Sequence, residues 1–527
     1  MGCSFSRYAP CGPRVVLWLV VMVVLSQSGA GQTIGPASPY PVVFFEDFED
    51  QAATEARWLP RENYTFAPGW QGQGICIANI QEQTTVIAAA FPLAGMRGGM
   101  ITLSARIKGE NISQPPNHWN GVKVMLHVQL QDGSSLWPQV PVGSGSFDWL
   151  NQGVLIGIPD AAVSAVLYLG LEACSGTVWF DDVCIRLVAD PDSYPGPRDP
   201  SIPIDKCHNL GMLRGAMVAT NLEHTDGAVL GRDWNANVVR WQLGGCSYPE
   251  GLLTPDYDTI LANELALLDD ALRWCRRYGL LVVVDLHSLS QGLFSSAAAQ
   301  QKLVSVWQTI AARYRDEDIV WAYDLANEPD PRGGAWGNGS VLIWEDLADR
   351  VVRAIRQVDA DTPIIIESVY AAPWTFTHLR PLDFSLTRII YSAHMYEPHR
   401  FTHQTLLPEY AKSCRYPGII NGTYWGKLQL MLALAPVSAF QWKYRVPVFI
   451  GEFSAIRWAP EQSAFRYIRD CCAIFDQLDW DWCYHAFREW HGWSVEHSED
   501  PNDLEPSVLP TRREKLLRVY FGRNEKP

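Results

Sequence analysis

Two short apolar runs in the sequence each end in a glutamate. Residues 321–329 contain Asn327-Glu328-Pro329, and residues 446–453 contain Gly451-Glu452-Phe453. A bounded apolar run of this length predicts a buried β-strand, so each carboxylate should lie at the end of a strand, where a loop begins. Two such carboxylates suit the cleavage of a glycosidic bond, because one can protonate the leaving oxygen while the other attacks the anomeric carbon or activates water. Glu328 and Glu452 are therefore the first candidates for catalytic residues.

Both runs belong to a repeating pattern of strand, loop and helix. Apolar runs occur at residues 212–218, 236–243, 280–286, 319–325, 363–366, 388–394, 446–451 and 482–487. Amphipathic segments lie between them, at residues 260–278, 300–314, 342–358 and 462–478. Eight strands alternating with helices predict a (β/α)8 TIM barrel. A doubly wound open sheet is the alternative, but it usually has a Gly-rich phosphate loop after its first strand, and residues 214–218 do not form one.

The active site of such a barrel lies at the carboxyl ends of its strands, so the polar residues at those ends could do chemistry. Besides the two glutamates they are Arg240, His287, Asn327, His394, Tyr396 and Trp490. Each has a structural alternative: a glutamate can simply open a loop, an arginine can be an ion-pair partner, and a histidine can be a satisfied core group. His287 and His394 could also bind a metal with Asp285, but no HExxH or similar spacing supports metal catalysis.

This set of residues, in this order, resembles glycoside hydrolase family 5, the retaining barrel enzymes that include many cellulases and mannanases. The similarity covers residues 211–521 and rests on the two glutamate motifs and on Arg240, His287, His394 and Tyr396. The resemblance implies that Glu328 is the acid/base and that Glu452 is the nucleophile. It also implies a tryptophan after the eighth strand, a position that Trp490 or Trp493 could fill.

Electrostatics independently supports these roles. A nucleophilic carboxylate must stay ionised, and a guanidinium such as Arg240 and a phenol such as Tyr396 should lower the pKa of Glu452. The acid must arrive protonated, so Glu328 is expected in a partly apolar place near the charge of Glu452. Asn327 is suited to a hydrogen bond with the sugar 2-hydroxyl. His287 and His394 would position the substrate or the carboxylates, and this chemistry requires no cofactor and no catalytic metal.

Residues 41–189 contain short alternating or β-branched runs separated by turn residues, which predicts an all-β sandwich of jelly-roll type. This region resembles a carbohydrate-binding module, through residues 45–49 and a closing strand at residues 175–183. A structural Ca²⁺ ion could be held by Glu46 or Glu49 with Asp182, since oxygen ligands suit that ion, although solvated acids at strand ends are the alternative. Five tryptophans are candidates for sugar stacking, and several of them must be core: Trp58, Trp70, Trp119, Trp137 and Trp149.

Four segments are predicted along the chain. Residues 1–30 read as a secretory signal peptide, with Arg7 and Arg14 before an apolar run at 15–25 and small residues at 28–30; an uncleaved anchor or N-myristoylation at residues 1–6 are the alternatives. Residues 41–189 form the sandwich. Residues 190–204 form a Pro-rich linker. Residues 205–527 form the catalytic barrel.

The charge of the chain restricts its partners. A formal net charge of −15 argues against nucleic acid, which requires clustered Lys and Arg. The 22 Trp residues offer flat apolar faces on which sugar rings can stack, so a polysaccharide or oligosaccharide substrate is expected. We expect a monomer that is secreted or periplasmic, without stable membrane insertion once the signal is removed.

The hypothesis from the sequence is a secreted, retaining β-glycoside hydrolase of endoglucanase or mannanase type. A transglycosidase on the same scaffold and a non-catalytic glycan-binding protein are the alternatives. Turnover of a glycoside would exclude the binding protein, and the products formed with an added sugar acceptor would distinguish hydrolase from transglycosidase.

Overall fold

A computed structural model of the protein describes residues 40–527, apart from 118, 190–194, 221, 245–250, 288–292, 295, 331–343 and 407–409. The predicted signal peptide and the first five residues of the predicted linker thus lie outside the described residues. The N-terminal strands are β1 (Val42–Glu46), β2 (Thr65–Pro68), β3 (Gln73–Phe91), β4 (Met100–Ile112), β5 (Gly121–Leu130), β6 (Ser135–Leu136), β7 (Gly145–Gly157) and β8 (Ala162–Ala189).

The N-terminal strands form one antiparallel sheet that folds over its own core. The two longest strands, β3 and β8, pair along most of their length, and the first half of β8 also pairs with β5 while its second half pairs with β4 and β1. Side chains from both halves of the sheet join a single apolar cluster. The predicted β-sandwich is confirmed.

Strict alternation explains which side of each N-terminal strand is buried. On β4, Ile101, Leu103, Ala105 and Ile107 enter the core. Successive side chains of a strand point to opposite faces, so the residues between them face away from the core. The alternating runs in the sequence therefore determine which side chains face the core of the sandwich.

The strands that follow are β9 (Arg214–Val218), β10 (Val238–Leu243), β11 (Leu281–Leu286), β12 (Val320–Asp324), β13 (Ile364–Glu367), β14 (Ile389–Met395), β15 (Gly418–Ile420), β16 (Thr423–Trp425), β17 (Val448–Phe453) and β18 (Asp481–Tyr484). All but the β15–β16 hairpin pair in parallel and close into an eight-stranded barrel in the order β10-β11-β12-β13-β14-β17-β18-β9. The predicted TIM barrel is confirmed, and all eight predicted runs overlap a barrel strand.

Helices cover the outside of the barrel. They are α2 (His224–Gly227), α3 (Tyr257–Tyr278), α4 (Ala297–Tyr314), α5 (Trp344–Arg356), α6 (His399–Thr402), α7 (Lys427–Ala433), α8 (Ala435–Tyr444), α9 (Ser463–Leu478) and α10 (Arg512–Phe521), after a single short helix α1 (Gln51–Arg57) in the sandwich. Helix α4 begins where the Ser296 hydroxyl accepts a hydrogen bond from the Ala299 N–H. Helix α3 ends at Gly279, whose left-handed φ of 62° suits a residue without a side chain.

The barrel strands are buried on both faces, as expected for a parallel sheet covered by helices. Gly215 allows the first two strands to approach closely, because a Cβ there would lie 1.7 Å from the Val238 carbonyl oxygen. The barrel and its helices have a core separate from that of the sandwich.

Hydrogen bonds and close packing join the two regions. The Tyr40 hydroxyl donates to Asp346 at 3.0 Å, and Gly157 at the end of β7 lies so close to His378 that a Cβ there would be 2.7 Å from its ring. Residues 195–204 run along the barrel, where the Arg198 N–H donates to the Lys443 carbonyl and Arg445 donates to the Ile202 carbonyl.

Two further observations concern the described residues as a whole. The nine cysteines among them are free thiols. None of the helices in this part of the chain is long and apolar enough to cross a membrane.

Candidate active site

The carboxyl ends of the barrel strands converge on two glutamates. One carboxylate oxygen of Glu328 and one of Glu452 lie within 4.8 Å of each other and of a ring nitrogen of His394. The Glu328 side chain is 44% exposed, whereas that of Glu452 is 5% exposed at the end of β17. The two predicted catalytic carboxylates therefore face one another, with Glu328 on the open side of the cleft.

The backbone holds Glu328 in an unusual conformation. Its φ is 45°, a left-handed value that is uncommon for a residue with a side chain. The Glu328 N–H donates to the buried carboxylate of Glu367 at 2.6 Å, which ties this residue to the end of β13. Strained backbone of this kind persists where the surroundings fix it, and it concentrates at functional sites.

Glu452 is held as an anion. Arg240 donates to its Oε1 at 2.9 Å, and the Tyr396 hydroxyl donates to its Oε2 at 2.8 Å. Burial alone would raise the pKa of Glu452, but the positive charges of His394, His485 and Arg240 hold that pKa well below its usual value. Both partners predicted to stabilise this carboxylate therefore contact it.

Arg240 is fully buried at the centre of the site. Its guanidinium lies within 2.9 Å of four carboxylates, those of Asp285, Asp324, Glu367 and Glu452. Burial raises the pKa of Asp324 well above its usual value, and the negative charges of Glu367 and Asp285 add to this rise against the opposing charge of Arg240. Asp324 is therefore easier to protonate than an ordinary aspartate, which opposes the accumulation of negative charge around the single guanidinium.

His394 links the two sides of the cleft. Its Nδ1 lies 2.9 Å from Glu328 and its Nε2 lies 2.9 Å from Glu367. Burial would lower the pKa of His394, but the charges of Glu367 and Glu452 and the bonds to its carboxylate partners raise that pKa well above its usual value. Gly451 leaves room for the ring, since a Cβ there would lie 2.9 Å from His394 Nε2.

A cluster of possible metal ligands coincides with the two glutamates. In the described part of the chain, Glu328, His394 and Glu452 are the acidic, histidine or cysteine side chains that together bring ligand atoms within 4.8 Å. The expectation that the chemistry needs no metal stays a prediction.

The other predicted residues also line this end of the barrel. His287 Nδ1 lies 2.8 Å from Asp285, and although burial lowers its pKa, the charge of Asp285 produces a net rise. The Asn327 side-chain oxygen accepts from Arg240 at 3.1 Å, which leaves its N–H2 group as the donor that could meet a sugar hydroxyl.

The structure adds residues that the sequence reasoning missed. Glu367 ends β13 after three isoleucines, the same pattern that revealed the two catalytic candidates, but the predicted run stopped one residue short at 366. Glu367 is fully buried, so it supports Arg240 and His394 and cannot itself reach a substrate. The signal that could have found it was a third carboxylate at a strand end.

His485 is the second missed residue. Strand β18 ends at Tyr484, so His485 occupies the strand end that the longer predicted run, 482–487, had concealed. Its Nδ1 bonds the Tyr396 hydroxyl and lies 3.5 Å from Glu452, while its Nε2 lies 3.1 Å from Glu489. Glu489 also accepts from Gln242 at 3.0 Å. A chain of polar groups thus runs from the nucleophile to the rim of the cleft.

The tryptophan predicted beyond the eighth strand packs among other aromatic rings. Trp490 is 37% exposed, and its ring lies 6.0 Å from Trp458 and 5.6 Å from Trp493. Trp493 is the more buried of the pair, and its ring lies 6.2 Å from Tyr396 and 5.7 Å from His485. A role for Trp490 in holding sugar stays a prediction.

The acids predicted to bind calcium have protein partners. Glu46 accepts from the side chains of Thr54, Arg57 and Trp58, Glu49 accepts from the Gln73 N–H, and Asp182 lies 3.8 Å from Arg106. The three acids do not form a cluster with ligand atoms within 4.8 Å. The calcium site stays a prediction.

Comparison with known proteins shows which family the barrel resembles. The family model described as Cellulase (glycosyl hydrolase family 5) matches residues 218–487, just over half of the chain. Endoglucanase C of Acetivibrio thermocellus is 26% identical over 254 residues, which cover 41% of this chain and 71% of that protein. Cellodextrinase A of Ruminococcus flavefaciens is 23% identical over 310 residues, which cover 53% of this chain and 89% of that protein.

The chain is also similar to solved structures. A mutant form of Thermotoga maritima Cel5A in complex with cellobiose is 19% identical, with a TM-score of 0.48 over 59% of this chain and 96% of that one. The family match spans seven of the eight barrel strands in full, and it includes the polar residues from Arg240 to His485 that contact Glu328 and Glu452. This chain is therefore a β-glycoside hydrolase that belongs to glycosyl hydrolase family 5, the cellulase family.

Proposed function

We propose that the protein cleaves β-linked polysaccharide or oligosaccharide with retention of configuration, as an enzyme of endoglucanase or mannanase type. The spacing of the two carboxylates carries the proposal. Retaining enzymes place their carboxyl groups about 5–5.5 Å apart, whereas inverting enzymes need about 6.5–9.5 Å to admit a water molecule. Oxygens of Glu328 and Glu452 that lie within 4.8 Å of each other fit direct attack by the second carboxylate.

In the first step, Glu452 attacks the anomeric carbon and forms a glycosyl ester while the glycosidic C–O bond breaks. Glu328 gives its proton to the leaving oxygen, and its exposure on the open side of the cleft suits this contact with substrate. Arg240 and Tyr396 hold Glu452 ionised and aimed, so little reorganisation precedes the attack.

In the second step, water attacks the same carbon and the ester bond to Glu452 breaks. Glu328 now accepts the proton of that water, which restores both carboxyl groups to their starting states. His394 contacts Glu328 on one side and Glu367 on the other, so it can respond to the changing charge of Glu328. A sugar acceptor in place of water would give transglycosylation with the same residues.

The names of the relatives support the substrate class. One is an endoglucanase and another is a cellodextrinase, and both cover more of their own length than of this chain. We extend that class, β-glucans and their oligosaccharides, to this protein, with mannan as the second polymer to test. We also propose export of a monomer through the N-terminal signal, and a sandwich that folds as a separate domain.

A polysaccharide panel with stereochemical analysis tests the proposal. The full chain is incubated with cellulose, mixed-linkage β-glucan and mannan, and the first reducing ends are followed by NMR, with Glu452→Gln as the inactive control. We expect release of the β-anomer first. Release of the α-anomer would show inversion and refute the mechanism, and no cleavage of any β-glycan would refute the function. Longer products that form only with an added acceptor would identify a transglycosidase instead.

A further inference from the structure

The outer face of strand β5 carries an unusual set of side chains. Val122, Val124 and Leu126 point into the sandwich core, so Lys123, Met125 and His127 face the other way. Met125 pairs with Tyr168 of the neighbouring strand β8, and neither residue packs against the core cluster. The outward-facing side chains of β5 therefore do not belong to the apolar core.

Two exposed tryptophans lie next to residues of this face. Trp119 and Trp137 are each 53% exposed. The Trp137 ring stacks flat on His127, with centroids 3.8 Å apart and planes 8° apart, and His127 lies 2.9 Å from the Ser135 hydroxyl. Burial lowers the pKa of His127, which favours the neutral form of this supporting ring. One face of the Trp137 indole is thus supported by protein while much of the ring remains open to solvent.

A neutralised polar network lies on the same face of β5. Lys123 is only 2% exposed, and its ammonium contacts Glu172 at 2.7 Å, Gln139 at 2.8 Å and the Trp119 carbonyl. Asn120 donates to the same Glu172 oxygen at 2.8 Å. The ammonium therefore fixes the Trp119 loop, and its own charge is balanced by one carboxylate.

The spacing of these groups favours a chain over a single small ligand. The Trp119 carbonyl is held at Lys123, and the Trp137 ring is held at His127, four residues further along the strand. At about 3.3 Å per residue, the Cα atoms of Lys123 and His127 are about 13 Å apart. A ligand that follows the strand past both residues is therefore longer than one pyranose ring.

The other three tryptophan candidates lie elsewhere, and one of them, Trp149, is on strand β7, which pairs with β4. Trp58 is fully buried in the sandwich core. Trp70 is 39% exposed, but Arg106 lies over its ring at 4.5 Å. The backbone N–H of Trp70 donates to Asp181 on the second half of β8. Trp70 therefore offers an exposed indole of the same domain that is outside the β5 face.

We propose that the face formed by Trp119, Lys123, Trp137, Gln139, Tyr168 and Glu172, here called the β5 strip, binds an uncharged β-linked glycan chain. Indole faces match the apolar faces of sugar rings, and the amide and carboxylate oxygens of the strip can accept from hydroxyl groups. A polyanion is disfavoured, because the cation of the strip is already paired and the chain has a net charge of −15.

The observations that support binding at the β5 strip are separate from those that describe the barrel cleft. A second contact with the same polymer would raise the effective concentration of substrate at the cleft, without contributing to the chemistry. The strip can therefore be tested by binding alone.

The test uses the full chain carrying Glu452→Gln, so that the polymer is not degraded. Retention is measured in native gels that contain mixed-linkage β-glucan, and by sedimentation with insoluble cellulose. Because the cleft is identical in all variants, differences report on the strip. We expect Trp119→Ala and Trp137→Ala each to weaken binding about threefold and together about tenfold, since each removes one ring contact. Trp137→Tyr, which keeps a flat ring, should retain most of the affinity.

Trp70→Ala is the matched control and should bind like the parent. Melting curves from circular dichroism verify that each variant is folded, and Trp137→Tyr separates loss of a ring from loss of structure. The proposal is overturned if the parent is retained by neither glycan, if the double variant binds as well as the parent, or if Trp70→Ala loses as much. Retention that depends on the strip in a protein that cleaves no glycan would refute only the proposed function.

Discussion

The barrel and the sandwich each bury a cation beside a strand, but they balance its charge differently. Arg240 in the barrel lies among four carboxylates, with further positive charge from His394 and His485. Lys123 in the sandwich meets one carboxylate and the neutral side chain of Gln139. Burying several charges is unfavourable, because desolvation offsets much of their attraction. An excess of buried charge therefore marks the reacting centre, whereas the balanced pair in the sandwich suits an uncharged ligand.

The largest effect should come from the two cleft glutamates. We expect Glu452→Ala to lower kcat at least about 10⁴-fold, because no nucleophile remains. Azide could then attack from the vacated side and give a product of inverted configuration. Glu328→Ala should keep the first step for a substrate with a good leaving group, and azide should then release the covalent intermediate with retained configuration.

Product stereochemistry by NMR distinguishes these outcomes. Exchanged configurations would reverse the two roles, and full activity in both variants would move the chemistry elsewhere. Melting temperatures close to that of the parent are expected, since each change removes a cleft carboxylate and not core volume.

The second effect compares the two buried cations directly. Arg240→Met removes the guanidinium that contacts all four carboxylates, so we expect a loss of about 3–5 kcal/mol in the free energy of unfolding, together with a severe loss of kcat. Lys123→Met removes the partner of one carboxylate that is still 34% exposed, and should lower the free energy of unfolding by about 1–2 kcal/mol. Denaturant titrations measure both values.

Arg240→Lys serves as the control for charge alone. A lysine cannot reproduce the planar fork that meets several carboxylates at once, so it should recover part of the stability but little of the activity. Equal losses in the Arg240 and Lys123 variants would contradict the contrast drawn between the two regions.

A smaller effect should follow from the residue at the end of β18. His485→Gln removes a positive charge that lowers the pKa of Glu452, so that pKa must rise. The acidic limb of kcat/KM should therefore move to higher pH by about one unit, with a roughly tenfold loss at the optimum. The pH profile checks this, with His224→Gln as a control, because that ring is bonded to Tyr278 at the surface. An unmoved acidic limb would show that His485 does not act on the nucleophile.

The sequence predicted those features that depend on periodicity and order. Eight apolar runs gave the barrel, alternation gave the sandwich, and the position of each polar residue after its run placed Glu328, Glu452 and Arg240 at one end of the barrel. The structure brings these residues together as expected, with Tyr396 and His394 between them.

The missed residues share a physical reason. Glu367 and His485 lie one residue beyond, or inside, the apolar runs as read from sequence, and the ends of strands are where pattern is least informative. Side-chain contact across strands cannot be read from spacing, so the four carboxylates around Arg240 and the stacking of Trp137 on His127 needed coordinates.

The smallest effect should come from separating the two regions. The barrel and the sandwich have separate apolar cores, and their contacts include the Tyr40–Asp346 hydrogen bond and the packing of Gly157 on His378. A chain that begins at Pro195 keeps the segment that bonds to the barrel and should fold alone. We expect kcat/KM on a short soluble glycoside to stay within about twofold of the full chain, because the cleft residues all lie in the barrel. Activity on insoluble cellulose should fall further, since the β5 strip is gone. Steady-state kinetics on both substrates, together with a melting curve, measure the difference.

An insoluble or unfolded shortened chain would show that the sandwich contributes to the stability of the barrel. If the shortened chain matched the full chain on both substrates, the β5 strip would have no role in turnover.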